Sequence, residues 1–485
     1  MKILHVGWGF RPWRPGGLIA YAEDLMAEQA RRGHEVAYFL SGRHYPGLRR
    51  PRLRRWRRDG VAMLEALNAP VVFALERGTR HPEADLSEPW LERTFAGLLA
   101  ELRPDVVHVQ ELAGIPSSVI EVAHDAGVPV LMTLQDYFGL CSTMRLYDSS
   151  GAVCLRRQVG ADCVATNAGA PADAGPLVAR TLHFELERAK RAVPGVRRID
   201  FARARPVVDA VVQAVSRLRA PGPGAAEPAA GSSRDPAALA AAFQRRRDVN
   251  VQRLRAVDRL VAPSRRVAEI YRTLGVDGPN LQWVPLTVSH LEHLRPRRLD
   301  APPRPVTFAT LGACTSPSKG LHLVLDALRR IAAAGAEREL RLLVYGFVDP
   351  AAEAELAGHP SVELRGTFGA PQLDEILEEV DVGLLPSVWE EAYPFAGLEF
   401  LAKGIPLVAT PIGGIVEYAR EGETAWLNHA RTGEGLADIL LAVARAPEQV
   451  VERHRRVREL RPELIKPMPA HAEEMDELYR ELAAA

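Results

Sequence analysis

Glu391 and Glu399 have the spacing richest in chemistry in this chain. They lie in Pro386-Ser387-Val388-Trp389-Glu390-Glu391-Ala392-Tyr393-Pro394-Phe395-Ala396-Gly397-Leu398-Glu399, followed by Gly404, Pro406 and an apolar run to Thr410. The pattern reads strand, loop, helix, glycine stop, strand, which puts Glu391 in the loop and Glu399 inside the helix. Pro394 suits a first helical turn, so free N–H groups near Phe395 and Ala396 could face an anion. Two carboxylates flanking such a site make poor phosphate contacts but good acceptors for the vicinal hydroxyls of a sugar. A second loop, Leu311-Gly312-Ala313-Cys314-Thr315-Ser316-Pro317-Ser318-Lys319-Gly320, joins a strand end to a helix and offers a lysine and several hydroxyls to an anion. A third, Arg11-Pro12-Trp13-Arg14-Pro15-Gly16-Gly17, opens the first helix with two glycines that let backbone approach a ligand closely.

These loops must be held by strands. Ile3–Val6, Glu35–Leu40, 105–109, 129–134 and 257–262 read as short apolar strands alternating with helices, and Leu18, Ala22, Leu25, Met26 and Gln29 recur at helical spacing before Gly33. A second series follows at Val306–Leu311, Leu340–Tyr345, Val362–Arg365, Val382–Leu385 and Leu407–Thr410. Strands of this kind form parallel sheets covered on both faces, with ligands at the strands' carboxyl ends. The expectation is an α/β chain of two doubly wound, Rossmann-like domains facing a cleft. The first spans residues 1–293, the second spans 305–446, and 447–485 are terminal helices. A helical insertion at about 165–255 interrupts the first domain. It contains an Ala/Gly/Pro/Ser stretch from Ala220 to Ala242 read as linker, within which Asp235-Pro236 looks like a helix start.

With these residues in hand, the chain resembles the retaining glycosyltransferases of the GT-B type, family 4, on Glu391, Glu399, Gly404, Pro406, Gly413-Gly414 and Glu417. The resemblance implies that the first domain binds the acceptor and the second the nucleotide-sugar, that Glu399 holds the nucleotide ribose, Glu391 the donor sugar, Lys319 and Ser316 the diphosphate, and Gly16-Gly17 the phosphates from across the cleft. Backbone of Phe395 and Ala396 would assist, and the loop Gly366 to Ala370, with Gly366 and Thr367, would read the base. The family's usual arginine in the Lys319 loop has no counterpart here. The missing charge must come from hydroxyls of Thr315, Ser316 and Ser318, or from an arginine of the first domain. Gln110, Gln135 and Asp136, at strand ends, are the expected acceptor contacts. Related sequences often place histidine where the two glutamines stand, and Asp136 is read equally as catalytic assistance or turn cap. The catalytic set is therefore Lys319, Glu391 and Asp136.

The resemblance further implies a retaining reaction, metal-independent, from a nucleotide diphosphate sugar to a small-molecule, natural-product or glycan acceptor. No Asp-x-Asp occurs in the chain, and no metal is assigned to the site. Alternatives are a sugar-phosphate phosphorylase or synthase on the same fold, or a glycosyltransferase-like binding subunit. Composition narrows the field. In 485 residues, 61 basic and 61 acidic side chains balance, which argues against a protein that coats nucleic acid. No apolar run reaches a membrane span and the first strand begins at the N-terminus, so a cytoplasmic location is expected. Arg49–Arg58, seven arginines around Trp56, reads either as a solvated loop or as a peripheral membrane contact. Cys141, Cys154 and Cys163 lack a fourth cysteine nearby. They are expected as thiols, with structural zinc completed by His183 or Asp162 as the lesser alternative and no cofactor otherwise.

Overall fold

The computed structural model describes residues 1–48, 50–73, 77–192, 235–312, 314 and 316–484. Arg49, Thr315 and the Ala/Gly/Pro/Ser stretch up to residue 234 lie outside the described residues.

The first domain is built on β1 (Lys2–Gly7), β2 (Glu35–Ser41), β3 (Arg52–Arg58), β4 (Val61–Leu67), β5 (Val106–Val109), β6 (Val130–Thr133), β7 (Arg259–Ala262) and β8 (Leu281–Trp283), in the order β3-β4-β2-β1-β5-β6-β7-β8. Among the described strands, only β3 runs antiparallel, to β4. Helices α1 (Gly17–Arg31), α2 (Pro89–Leu102), α3 (Val119–Asp125), α4 (Gly160–Thr166), α5 (Gly175–Ala192), α6 (Pro236–Ala256) and α7 (Arg265–Thr273) accompany it. The second domain has six parallel strands, β9 (Val306–Leu311), β10 (Leu340–Tyr345), β11 (Val362–Gly366), β12 (Val382–Leu385), β13 (Leu407–Ala409) and β14 (Ala425–Leu427), ordered β11-β10-β9-β12-β13-β14. Its helices are α8 (Leu321–Ala333), α9 (Pro350–Gly358), α10 (Leu373–Ile376), α11 (Phe395–Ala402) and α12 (Gly433–Arg445), and the tail forms α13 (Glu448–Leu464) and α14 (Met468–Ala484).

Both sheets grow outward from one strand, first to one side and then to the other. The order reverses between β1 and β5 and between β9 and β12, and a crevice opens there at the strands' carboxyl ends. The loops after β1, β9 and β12 are the three singled out for chemistry. The strands on either side of each crevice are buried on both faces, as Val306–Leu311 and Val382–Leu385 show, which explains their unbroken apolar runs.

The structure bears on two expectations. The arginine run is a strand over most of its length and not a loop. Arg52–Arg58 is the edge strand β3, with Arg55 in a two-bonded ion pair to Glu101 at 2.6 Å, Arg58 paired with Glu23 and Asp59, and Trp56 packed edge-on against Phe10. A row of charged side chains on an exposed edge discourages pairing with other chains. The helix start read at Asp235-Pro236 is where α6 begins, so residues 236–242 of the Ala/Gly/Pro/Ser stretch are helix. Asp235 caps that helix by accepting from the Ala237 N–H, and Arg246 of α6 is buried in an ion pair with Asp85 at 2.7 Å.

The tail ties the domains together. α13 packs on α11 of the second domain, whereas α14 crosses back to α1 and β5 of the first. The crossing runs beside the interdomain segment: Thr287 Oγ1 donates to the Lys466 carbonyl at 2.7 Å, and the Met468 N–H donates to Glu292 at 2.6 Å. From α14 the buried Tyr479 hydroxyl accepts from Gln29 at 3.0 Å and lies 2.6 Å from His108 Nδ1. Tyr479→Phe leaves those groups without their partner in a water-free place, and a loss of about 1–3 kcal/mol in chemical denaturation is expected. Unchanged stability would show that the hydroxyl contributes nothing to docking α14.

Candidate functional site

The site assembles around Glu391. One carboxylate oxygen accepts from Lys319 Nζ at 2.8 Å and the other from the Ser387 hydroxyl. Lys319 closes a single turn (Pro317–Lys319) at the end of the β9 loop, and Gly320 follows at φ +89°, where a Cβ would come within 2.1 Å of the Pro386 carbonyl. The β9 loop therefore packs on the β12 loop, and only glycine allows it. Val388 N–H donates to the Ser318 carbonyl at 3.0 Å, and the Ser316 and Ser318 hydroxyls lie 3.1 Å apart. Glu391 is seated from behind by Gly413 and Gly414: the Gly414 N–H donates to the Glu391 carbonyl at 2.6 Å, and side chains at either glycine would collide with that loop.

Glu399, on α11, accepts from His290 Nε2 at 2.8 Å. Neighbouring Glu390 accepts from the Gly413 N–H at 2.9 Å and pairs with both arms of Arg266, from α7 of the first domain. Gly17 meets the second domain directly, since a Cβ there would lie 2.8 Å from the Phe395 ring. Gly16, at φ +135°, borders open space. Gly366 and Thr367 are exposed at the carboxyl end of β11, next to Phe368, which packs edge-on to Tyr345.

Arg145 is the residue sequence reasoning missed. It belongs to the first domain yet donates to Ser318 Oγ at 2.6 Å, and its guanidinium lies 5.8 Å from the Trp389 ring centroid, where Lys319 Nζ lies at 5.5 Å. No spacing rule marks an arginine inside Cys141-Ser142-Thr143-Met144-Arg145-Leu146. Cys314 and Cys163, by contrast, are thiols pushed up to about 12 by burial, and all four cysteines are unbridged. Among the described residues, no group of three His, Cys, Asp or Glu side chains is arranged to hold a metal.

The first domain brings Arg14, Glu111 and Asp136 to the carboxyl ends of β1, β5 and β6. Arg14 is buried, with its guanidinium 4.1 and 4.4 Å from the rings of Trp8 and Trp13. One Asp136 oxygen caps the following turn by accepting from the Phe138 N–H at 2.6 Å, while the other is buried without a partner. Glu111 has the Trp8 N–H nearby, but neither of its oxygens makes a hydrogen bond of ordinary geometry. Buried polar atoms left this way are costly, and a ligand or water that completes their hydrogen bonds removes that cost. Gln110 lies in a buried network: its amide is 3.0 Å from His5 Nδ1 and 3.1 Å from His108 Nδ1, and it accepts from Gln135 at 2.9 Å.

Comparison with known proteins fits this geometry. Residues 305–445 match the family model of glycosyl transferases group 1. The second domain is a glycosyl transferases group 1 domain. The amylovoran biosynthesis glycosyltransferase AmsK of Erwinia amylovora is 28% identical over 160 residues, 31% of this chain and 39% of that protein. The D-inositol 3-phosphate glycosyltransferase of Rhodococcus jostii is 29% identical over 208 residues, 39% of this chain and 45% of its own length. The chain thus spans less than half the length of these curated relatives. Among solved structures, the sucrose-phosphate synthase of Thermosynechococcus elongatus superposes over the whole of both chains with TM-score 0.62 at 16% identity. HepE of Anabaena in complex with UDP-glucose superposes with TM-score 0.57 at 12% identity, over 99% of this chain and 100% of that one. These likenesses establish the GT-B fold, in which the group 1 domain faces a second Rossmann-like domain.

Burial pushes the Glu111 carboxyl up to about 8, helped by Asp136, and the Asp136 carboxyl up to about 7. The folded protein then retains protons that the unfolded chain releases above about pH 4, so these groups destabilise it increasingly as pH rises towards about 8. Glu111→Gln removes one of them. The melting temperature of the variant should gain on the parent between about pH 5 and 8 and level off above, whereas a pH-independent difference would contradict the shift.

Proposed function

We propose that the protein is a retaining glycosyltransferase that moves a sugar from a nucleotide diphosphate sugar to a hydroxyl-bearing acceptor without a divalent metal. The observation that carries this reading is the seating of Glu391 between Lys319 and Ser387, at the β9/β12 crevice and opposite Gly16-Gly17. Glu399 accepts from the ribose hydroxyls, which would take the place of His290. Glu391 accepts from the transferred sugar, Gly366 and Thr367 border the base, and Lys319, Ser316 and the N–H groups of Phe395 and Ala396 receive the diphosphate. Asp136 and Gln135 face the acceptor. The bond from the sugar's anomeric carbon to the diphosphate breaks with its electron pair going to phosphate oxygen. The acceptor oxygen bonds the same carbon from the same face, and its proton passes to the departing phosphate. Closure of the two domains excludes water from that step. Among the described residues no helix is long and apolar enough to cross a membrane.

Lys319→Ala should lower turnover by the equivalent of about 2–4 kcal/mol in the transition state, read at temperatures where the variant is folded, and it should melt below the parent because Glu391 loses the partner of its ion pair. Near-native turnover would remove Lys319 from the reaction. Activity should survive EDTA, and loss rescued by Mg²⁺ would contradict the metal-free reading. The two glutamates should separate in calorimetry. Glu399→Ala weakens the intact donor and the bare nucleoside diphosphate alike. Glu391→Ala spares the bare diphosphate and costs about 1.5–3 kcal/mol of donor binding or turnover, so equal weakening of the bare diphosphate by both variants would show these roles to be misassigned.

A further inference from the structure

We infer that Arg145, carried by the first domain, is the second cation of the donor diphosphate site, in place of the arginine absent from the Leu311–Gly320 loop; the inference rests on the glycosyl-transfer reading above. Three observations place it there. Its guanidinium donates to Ser318, the residue just before Lys319. It shares the Trp389 ring with Lys319 and feels the charge of Glu391, the carboxylate that Lys319 bonds. It is mostly buried at the meeting of the two domains, and burial holds its pKa below the ordinary arginine range.

The backbone is shaped to keep it there. The residues on both sides, Met144 at φ +69° and Leu146 at φ +51°, occupy the left-handed region that bulky side chains rarely adopt. Both are buried, and the loop is pinned at either end. Met144 N–H donates to the Cys141 carbonyl at 3.0 Å, and Cys154 N–H donates to the Leu146 carbonyl at 2.7 Å. A bridge between Tyr147 and Val153 closes the turn beyond. Backbone strain of this kind, spent on aiming one side chain at another domain, is typical of sites where position matters to function.

The chemistry follows from the guanidinium's shape. As the bond between the anomeric carbon and the diphosphate breaks, the electron pair settles on phosphate oxygen, and a planar fork can donate to two phosphate oxygens at once while Lys319 offers a point charge. Because Lys319 and Arg145 belong to different domains, the leaving group is fully neutralised only when the cleft is closed. Departure of the diphosphate is thereby reserved for the state in which the first domain, with its acceptor, is in place.

The test is calorimetry on the full chain with UDP, GDP and ADP, each beside its nucleoside. For whichever diphosphate binds the parent, Arg145→Ala should weaken binding about tenfold to hundredfold while leaving the nucleoside's affinity unchanged. Arg145→Lys should recover part of the loss. Equal diphosphate affinity in parent and Arg145→Ala would overturn the assignment. So would parallel weakening of nucleoside and diphosphate, which would make Arg145 a tie between domains and nothing more. If Arg145→Ala does not fold, Arg145→Gln, of similar length and without charge, makes the same comparison with the same expected outcome. Failure of all three diphosphates to bind the parent would instead bring down the glycosyl-transfer reading, and this inference with it.

Discussion

A parallel sheet that grows outward in both directions from one strand must leave a crevice beside that strand, and every other feature of this chain depends on where the two crevices fall. Crossovers send the chain from β1 and from β9 first to one side and then to the other. The loops leaving β1 and β5, and those leaving β9 and β12, then have no helix above them. Chemistry-bearing residues placed after those strands are therefore exposed to each other and to the cleft, and the same residues placed after β2 or β10 would be separated from it by the sheet's own connections.

Within that frame, the acidic loop after β12 and the helix that follows it are held by basic side chains of separate origin. Glu390 is gripped by Arg266 of the first domain, Glu391 by Lys319 of the second, and Glu399 by His290 of the segment that joins them. Each pair is partly buried, so its attraction is less screened than on an open surface. The arrangement makes the position of one short loop depend on both domains. It also means that a ligand's hydroxyls or phosphates replace contacts already formed and do not enter an empty polar cavity.

Much of the fold was readable from residue pattern alone because parallel strands buried on both faces leave the plainest signal there is. Val306–Leu311, Leu340–Tyr345 and Val382–Leu385 have the bounds their apolar runs suggest, and the Glu391 and Glu399 placement in loop and helix follows from Pro394 and the glycine stop at Gly404. What escaped was decided by long-range contact. The arginines of β3 look like a solvated run because an edge strand keeps its charges outward, and only pairing with β4 makes it a strand. The packing of His5, His108 and Gln135 around Gln110 shows only once their strands are paired. Arg145 carries no local mark, since its position is set by a loop of the first domain and its surroundings by a loop of the second.

The tail has a mechanical consequence. Among the described residues, chain crosses between the domains in the segment after β8 and again between α13 and α14, and the two crossings are bonded side by side through Thr287 to Lys466 and Glu292 to Met468. A pair of adjacent pins makes a hinge. It lets the two halves swing apart but resists their sliding past one another, so opening the cleft widens the gap between Arg145 and Ser318 without changing which residue meets which on return.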